Sequence, residues 1–208
     1  MANFLELQTL IEDAILRTDV NTQVKEAINK AIARYSKARL WFIETRQDFN
    51  TTQGDWFYTT PTIPDDIRQI DYLRITVNNV YYDLLQRDIQ FIISANVNNN
   101  QGQPIDWAWW DRSIYFYPIP QDTYPISIFY QKSYAPLVDP TDSNDWTEIL
   151  EAQDVIIAES LRRLYRYTIL DAGKAAEYEM EARQALRVLN EISESITGIN
   201  GAIKATTW

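Results

Sequence analysis

Glu148, Glu151, Asp154 and Glu159 fall within one short segment, "EILEAQDVIIAE", and clustered carboxylates are the raw material of glycoside hydrolysis. That chemistry needs an acid and a base or nucleophile about 5 to 9 Å apart around a sugar. The same spacing describes the solvated face of a helix whose first-turn acids complement its dipole. The chain has no His and no Cys. Thiolate and imidazole ligands, Cys and His nucleophiles and a Ser-His-Asp arrangement are therefore all excluded. "DPTDSNDWTE" offers oxygen ligands but lacks the glycine that turns a calcium loop. With five glycines, neither GxGxxG nor GxxxxGK occurs, so no loop is built to cradle a phosphate. The expectation is no catalytic residue, no cofactor and no metal. Trp107, Trp109 and Trp110 are the remaining candidates: they could stack sugar rings in a groove, or fill a sheet face and a subunit contact.

The bulk numbers narrow the classes further. A chain of 208 residues can bury roughly 70% of its unfolded surface, enough for a core without staples. The formal charge of −10 opposes a phosphate-binding surface, which needs clustered Lys and Arg. An acidic wall can nonetheless face DNA without holding it. No basic leader opens the chain and no apolar run approaches the roughly 18 residues of a membrane span. A soluble protein outside the membrane is expected.

Several elements must position these residues. Asn3 and Glu6 stand at capping-box spacing, and Phe4, Leu7, Leu10, Ile11, Ala14 and Ile15 recur at helical period, predicting a helix to about Arg17. Val24, Ala27, Ile28, Ala31, Tyr35, Ala38 and Phe42 predict a longer helix from Thr22 to Glu44. "RQDFNTTQGDWFYTTP" reads as a hairpin about Gln53-Gly54, and "IRQIDYLRITV" with "VYYDLL" as a strand pair turning at Asn78-Asn79. "QRDIQFIISAN" reads as a short helix and "VNNNQGQP" as a loop. "DWAWWD", "SIYFYP" and "YPISIFYQ" follow as three strands of an antiparallel meander with both faces covered. Asp145 and Glu148 stand at capping-box spacing ahead of a helix to about Leu170, with Gln153, Ile157, Leu161, Leu164 and Thr168 as its stripe. Asp171-Ala172-Gly173 reverses the chain into an antiparallel last helix carrying Tyr178, Ala182, Ala185, Leu189, Ile192 and Ile196. Beyond Gly198 the period is lost, and "INGAIKATTW" reads as an arm.

The fold class is thus α+β: an N-terminal helix pair (1–45), an antiparallel aromatic-rich β region (46–138), a long C-terminal helical hairpin (139–196) and an extended C-terminal arm (197–208). With this order, and with "IPDDIRQIDYLRI", "RSIYFYPIPQDTYPISIFYQKSYAPL" and "DWTEILEAQDVIIAESLRRLYRYTILDAGKAAEYEMEARQALRVLNEI", the chain resembles the head-to-tail adaptor (connector, or neck) proteins of short-tailed and related tailed bacteriophages. The likeness covers most of residues 60 to 195. It implies a structural virion protein, not an enzyme, located in the neck between head and tail and assembled in the host cytoplasm. It also implies a homo-oligomeric ring of twelve copies joining the portal protein to a tail nozzle or tail tube protein, with DNA passing through unbound during ejection. The C-terminal segment would reach the portal, and its apolar residues Ile199, Ile203 and Trp208 are the expected contacts, since such groups leave greasy surface in water unless they dock. The other reading is a tail- or fibre-associated carbohydrate-binding module that uses the aromatic sheet.

Overall fold

A computed structural model describes residues 2–204. Helix α1 (Phe4–Ile15) begins as the sequence predicts: Asn3 accepts from the Glu6 amide at 2.9 Å and Glu6 accepts from the Asn3 amide at 3.2 Å. Helix α2 (Asn21–Tyr35) is shorter than its apolar period implied. Ser36 turns its hydroxyl back onto the Ile32 carbonyl at 2.6 Å. Leu40, Phe42 and Ile43 are then buried outside any helix. The Trp41 amide donates to Ser193 instead of to a helical carbonyl, so burial in a tight non-helical turn overrides the helix here.

The chain then enters a compact unit, residues 44–133, with strands β1 (Glu44–Asn50), β2 (Phe57–Tyr58), β3 (Ile67–Val77), β4 (Val80–Asp83) and β5 (Leu85–Gln86), helix α3 (Ile89–Asn96), and strands β6 (Gln101–Gly102), β7 (Asp106–Trp110), β8 (Ser113–Tyr117), β9 (Ile119–Pro120) and β10 (Pro125–Lys132). One sheet has the order β1-β10-β3-β4 and is antiparallel throughout. The other has the order β2-β8-β7-β5, with β5 parallel to β7, and β6 and β9 form a small parallel pair. Asn78 and Asn79, like Asp111 and Arg112, take positive φ at both central turn positions, the mirror-image turn whose twist suits a hairpin.

Two expected pairings fail. The strands either side of Gly54 turn as predicted, but β1 pairs with β10 and β2 with β8. Their connection is closed by the Tyr58 hydroxyl, which accepts from the Thr52 amide at 2.9 Å and donates to the Asp55 carbonyl at 2.9 Å, in place of ladder bonds. The meander also breaks after β8, because β10 crosses to the first sheet and lies between β1 and β3. Pro118, Pro120 and Pro125 flank that crossing, and each lacks the amide a β8–β10 ladder would need. The result is one core fed by both sheets: Leu73, Ile75, Ile126 and Ile128 from the first, Trp107, Ile114 and Phe116 from the second. The aromatic stretch is therefore mainly interior on one face and half-exposed on the other, rather than covered on both.

Past residue 133 the chain forms α4 (Asp145–Glu148), α5 (Leu150–Leu164), a π-helical turn (Tyr165–Ile169) and α6 (Ala172–Lys204). The cap is Asn144, one residue before the expected Asp145: its side chain accepts from the Trp146 amide at 3.0 Å, and Thr147 accepts from the Asn144 amide at 2.9 Å. Asp145 is occupied otherwise, accepting the Tyr134 hydroxyl at 2.7 Å. Extended backbone at Ile149 separates α4 from α5. Residues 151–158 of α5 line a groove with 181–188 of α6, and 162–166 line one with 172–179, so the two helices run antiparallel as expected. Together with residues up to 43 this segment makes the second compact unit.

Its core holds Phe4, Leu7, Ile11, Val24, Ile28, Trp146, Val155, Ile156 and Leu189. Because α5 packs against α1, α2 and α6, it is buried on more of its circumference than a single stripe. Helix α6 runs on across Gly198 and Gly201 to Lys204, so backbone helix continues past 196, where the arm was expected to begin. An isolated glycine inside a helix costs only about 1 kcal/mol relative to Ala.

Candidate functional site

The four candidate carboxylates do not converge on one site. Glu159 is the buried one, with 1% of its surface exposed. It accepts from Arg162 at 2.7 and 2.8 Å, from Arg34 at 3.0 Å and from the Tyr35 hydroxyl at 3.4 Å. Burial works to raise its pKa, but the hydrogen bonds and charges of Arg162 and Arg34 outweigh it and hold the carboxyl below its ordinary value. Such a group is a fixed anion rather than a proton carrier. The expectation of a solvated helix face fails at this residue, because α5 is enclosed by its neighbours. Glu148 accepts the Ser143 hydroxyl at 2.7 Å. Glu151 and Asp154 line an acidic groove with Glu181, floored by Ile157, Ala158, Ala185 and Val188, and Glu159 takes no part in it. Among the described residues no group of three or more acids could hold a metal ion. Asp142 of the candidate calcium loop instead accepts from the Val138 and Asp139 amides at 2.7 and 2.8 Å, which lowers its pKa.

The three tryptophans do not share a surface. Trp107 is buried and donates its indole N–H to the Leu84 carbonyl at 3.3 Å, Trp109 packs against the core, and Trp110 is 60% exposed. Of the expected portal contacts, Ile199 and Ile203 fall on the backbone of α6, and Trp208 lies outside the described residues.

The sequence reading missed two surfaces. The first is the outer face of the β1-β10-β3-β4 sheet, where Tyr72 stacks on Phe129 with centroids 4.3 Å apart and planes 14° off parallel. Arg46 and Arg74 lie 5.6 Å from the Phe129 ring, and Arg74 also reaches Tyr72 and Tyr81. Each arginine is neutralised, Arg46 by Asp48 and Arg74 by Asp83, both at 2.8 Å. The hydrogen bond to Arg46 lowers the Asp48 pKa. Rings interleaved with paired arginines are the composition of protein contact surfaces. The signal was available in β3, whose Leu73, Ile75 and Val77 alternate with Tyr72, Arg74 and Thr76. The second surface is the end of the helical hairpin. There Arg163 and Arg166 each sit 5.7 Å from the exposed Tyr167 ring, Lys174 sits 5.1 Å from Tyr165, and Tyr165 stacks on Tyr178. The run "RRLYRY" carried that signal.

Glu159 is locked in a buried ion pair, and the two exposed faces are built of rings beside arginines, a composition common at protein contacts. Residues 2–201 match the family model described as SU10 adaptor protein, and the chain belongs to that family of phage head-tail adaptors. It is a phage structural adaptor, a virion component that interacts with other head or tail components. No curated protein matches the chain. Among the described residues no helix is long and apolar enough to cross a membrane.

Proposed function

We propose that this chain forms a homo-oligomeric ring of twelve copies in the virion neck, binding the portal protein above and a tail nozzle or tail tube protein below, and lining the conduit through which DNA leaves the head. The match over residues 2–201 to an adaptor family carries this reading. Charge supports it. The chain carries −10 overall, and its arginines are largely tied to carboxylates, as in Arg17–Asp19, Arg46–Asp48, Arg87–Asp106 and Arg187–Glu191. A duplex sliding past such a wall releases few counterions and meets little friction. The protein is non-enzymatic and needs no cofactor. Its C-terminal residues, Ile199, Ile203 and Trp208 among them, dock on the portal, where large apolar groups gain by leaving water. Assembly takes place in the host cytoplasm.

Cryo-electron microscopy of the neck in purified particles tests the reading: one ring of this chain in contact with the portal is expected. Density for this chain at a fibre tip, or in a single copy at the neck, would overturn it.

A further inference from the structure

We infer that adjacent copies of this chain join edge to edge, strand β4 of one copy pairing antiparallel with strand β1 of the next, so that the β1-β10-β3-β4 sheets run on from subunit to subunit. The inference rests on the ring reading above and names the surfaces that close it.

The two strands are the opposite edges of one sheet, and among the described residues no strand lies beyond either. All four residues of β4 are exposed, including Val80, Tyr81 and Tyr82. An edge strand with exposed rings and no Lys or Pro is an open template for another chain. Within the sheet every neighbouring pair is antiparallel, so β1 and β3 run one way and β10 and β4 the other. Placing β4 beside β1 of the next copy continues that alternation. An edge meeting the opposite edge is a head-to-tail contact, which closes into a ring when its rotation allows.

Pleat and charge then select one register. Val80 and Tyr82 share the core face with Ile75, whereas Tyr81 and Asp83 share the outer face with Arg74. On β1, Gln47 and Phe49 align through Ile128 and Ile126 with the core face, and Arg46 and Asp48 through Phe129 and Ser127 with the outer face. Core must meet core, so only registers two residues apart are allowed. One of them sets Asp83 opposite Glu44 and another sets Asp83 opposite Asp48, each a like-charge pair directly across the strands. The register between them sets Asp83 opposite Arg46, Tyr82 opposite Gln47, Tyr81 opposite Asp48 and Val80 opposite Phe49. Asp83 then lies between Arg74 of its own copy and Arg46 of the next, extending the row of rings and arginines across the boundary. The same charges disfavour slipped or promiscuous pairing at both edges. A four-residue contact is small, so it suits a ring in which every copy makes two such contacts against a common portal surface.

The chain has no Cys, so engineered cysteines report only the designed contact. Tyr81→Cys combined with Asp48→Cys puts two thiols opposite each other across the proposed boundary, where cross-strand Cα separations of about 4.5 to 5.5 Å allow a disulfide. Oxidised particles carrying this pair are expected to yield a ladder of linked multimers that collapses on reduction. Tyr81→Cys with Gln47→Cys, whose side chains point to opposite faces, is expected to yield none. Asp83→Lys alone should cut incorporation into particles at least tenfold, and adding Arg46→Glu should restore it. Rings seen in the neck without a ladder from the first pair, or with equal ladders from both, overturn the edge contact and leave the ring standing. No ring in wild-type particles overturns both.

Discussion

Removing the Glu159 carboxylate separates a buried charge network from an ordinary surface ion pair. Glu159 and Arg162 keep only 1% and 8% of their side chains exposed, whereas Arg34 is 54% exposed. Glu159→Ala leaves the Arg162 guanidinium buried without its anion, and breaking a buried pair in this way costs about 3 to 5 kcal/mol. Arg34→Ala leaves the Glu159–Arg162 pair intact and removes a partner that can turn to water, so a loss of up to about 1 kcal/mol is expected. For a chain of this size the first change lowers Tm by roughly 6 to 20 °C and the second by no more than about 4 °C. Differential scanning calorimetry of the isolated protein at pH 7 reads both. The pH dependence adds a second check, because the folded Glu159 pKa lies below its ordinary value of 4.5. The stabilisation is therefore complete above that value and is lost as pH falls through the lowered one. The gap in Tm between wild type and Glu159→Gln should narrow as pH drops below 4.5. Equal destabilisation by Glu159→Ala and Arg34→Ala, or a gap that widens in acid, would refute the network described here.

Other expected outcomes follow from the same structure. Leu164 is 2% exposed in the helical core, so Leu164→Ala should cost about 2 to 5 kcal/mol by chemical denaturation. Asn144→Ala removes the cap of α4 and should cost about 0.5 to 2 kcal/mol in the same assay, whereas Asp145→Ala leaves the Asn144–Thr147 box in place. Fluorescence anisotropy should detect no duplex DNA binding at about 150 mM salt, where the Debye length is about 8 Å, and a submicromolar salt-sensitive complex would contradict the acidic conduit. Deleting residues 198–208 should leave Tm of the isolated protein almost unchanged and abolish attachment to portal-bearing heads, scored by infectious particles completed in extracts.

Local signals in the sequence carried most of the elements. The Asn3–Glu6 box, the Asn78-Asn79 turn, α3 and the antiparallel α5–α6 pair were legible because each depends on residues close in the chain. The errors lie where a distant partner decides. Nothing near Ser36 announces that Leu40, Phe42 and Ile43 will be buried outside a helix. Nothing near Gly54 says that β1 and β2 belong to different sheets, because β1 is completed by a strand some 80 residues on and β2 by one some 60 residues on. The three prolines around 118–125 were readable as obstacles to a β8–β10 ladder, yet they forbid a pairing without naming its replacement.

The candidate sites divide along the same line. Composition alone excluded thiol and imidazole chemistry, since an absent residue type needs no geometry to interpret. Whether a carboxylate is solvated or locked does need it: Arg162 at i+3 marks Glu159 as a paired acid in the sequence, but only the packing of α1, α2 and α6 around α5 shows that this pair is buried while Glu151 lines a groove. The face of Tyr72, Arg74 and Phe129 was half visible, as the polar and aromatic half of an alternating strand, but its partners come from four strands spread between Glu44 and Lys132. For a protein whose work is to contact other proteins, the working parts are such composite faces. The edge strands are the least legible among them, because an edge exists only once the order β1-β10-β3-β4 is fixed, and beyond the β3–β4 hairpin that order is set by pairings no local pattern encodes.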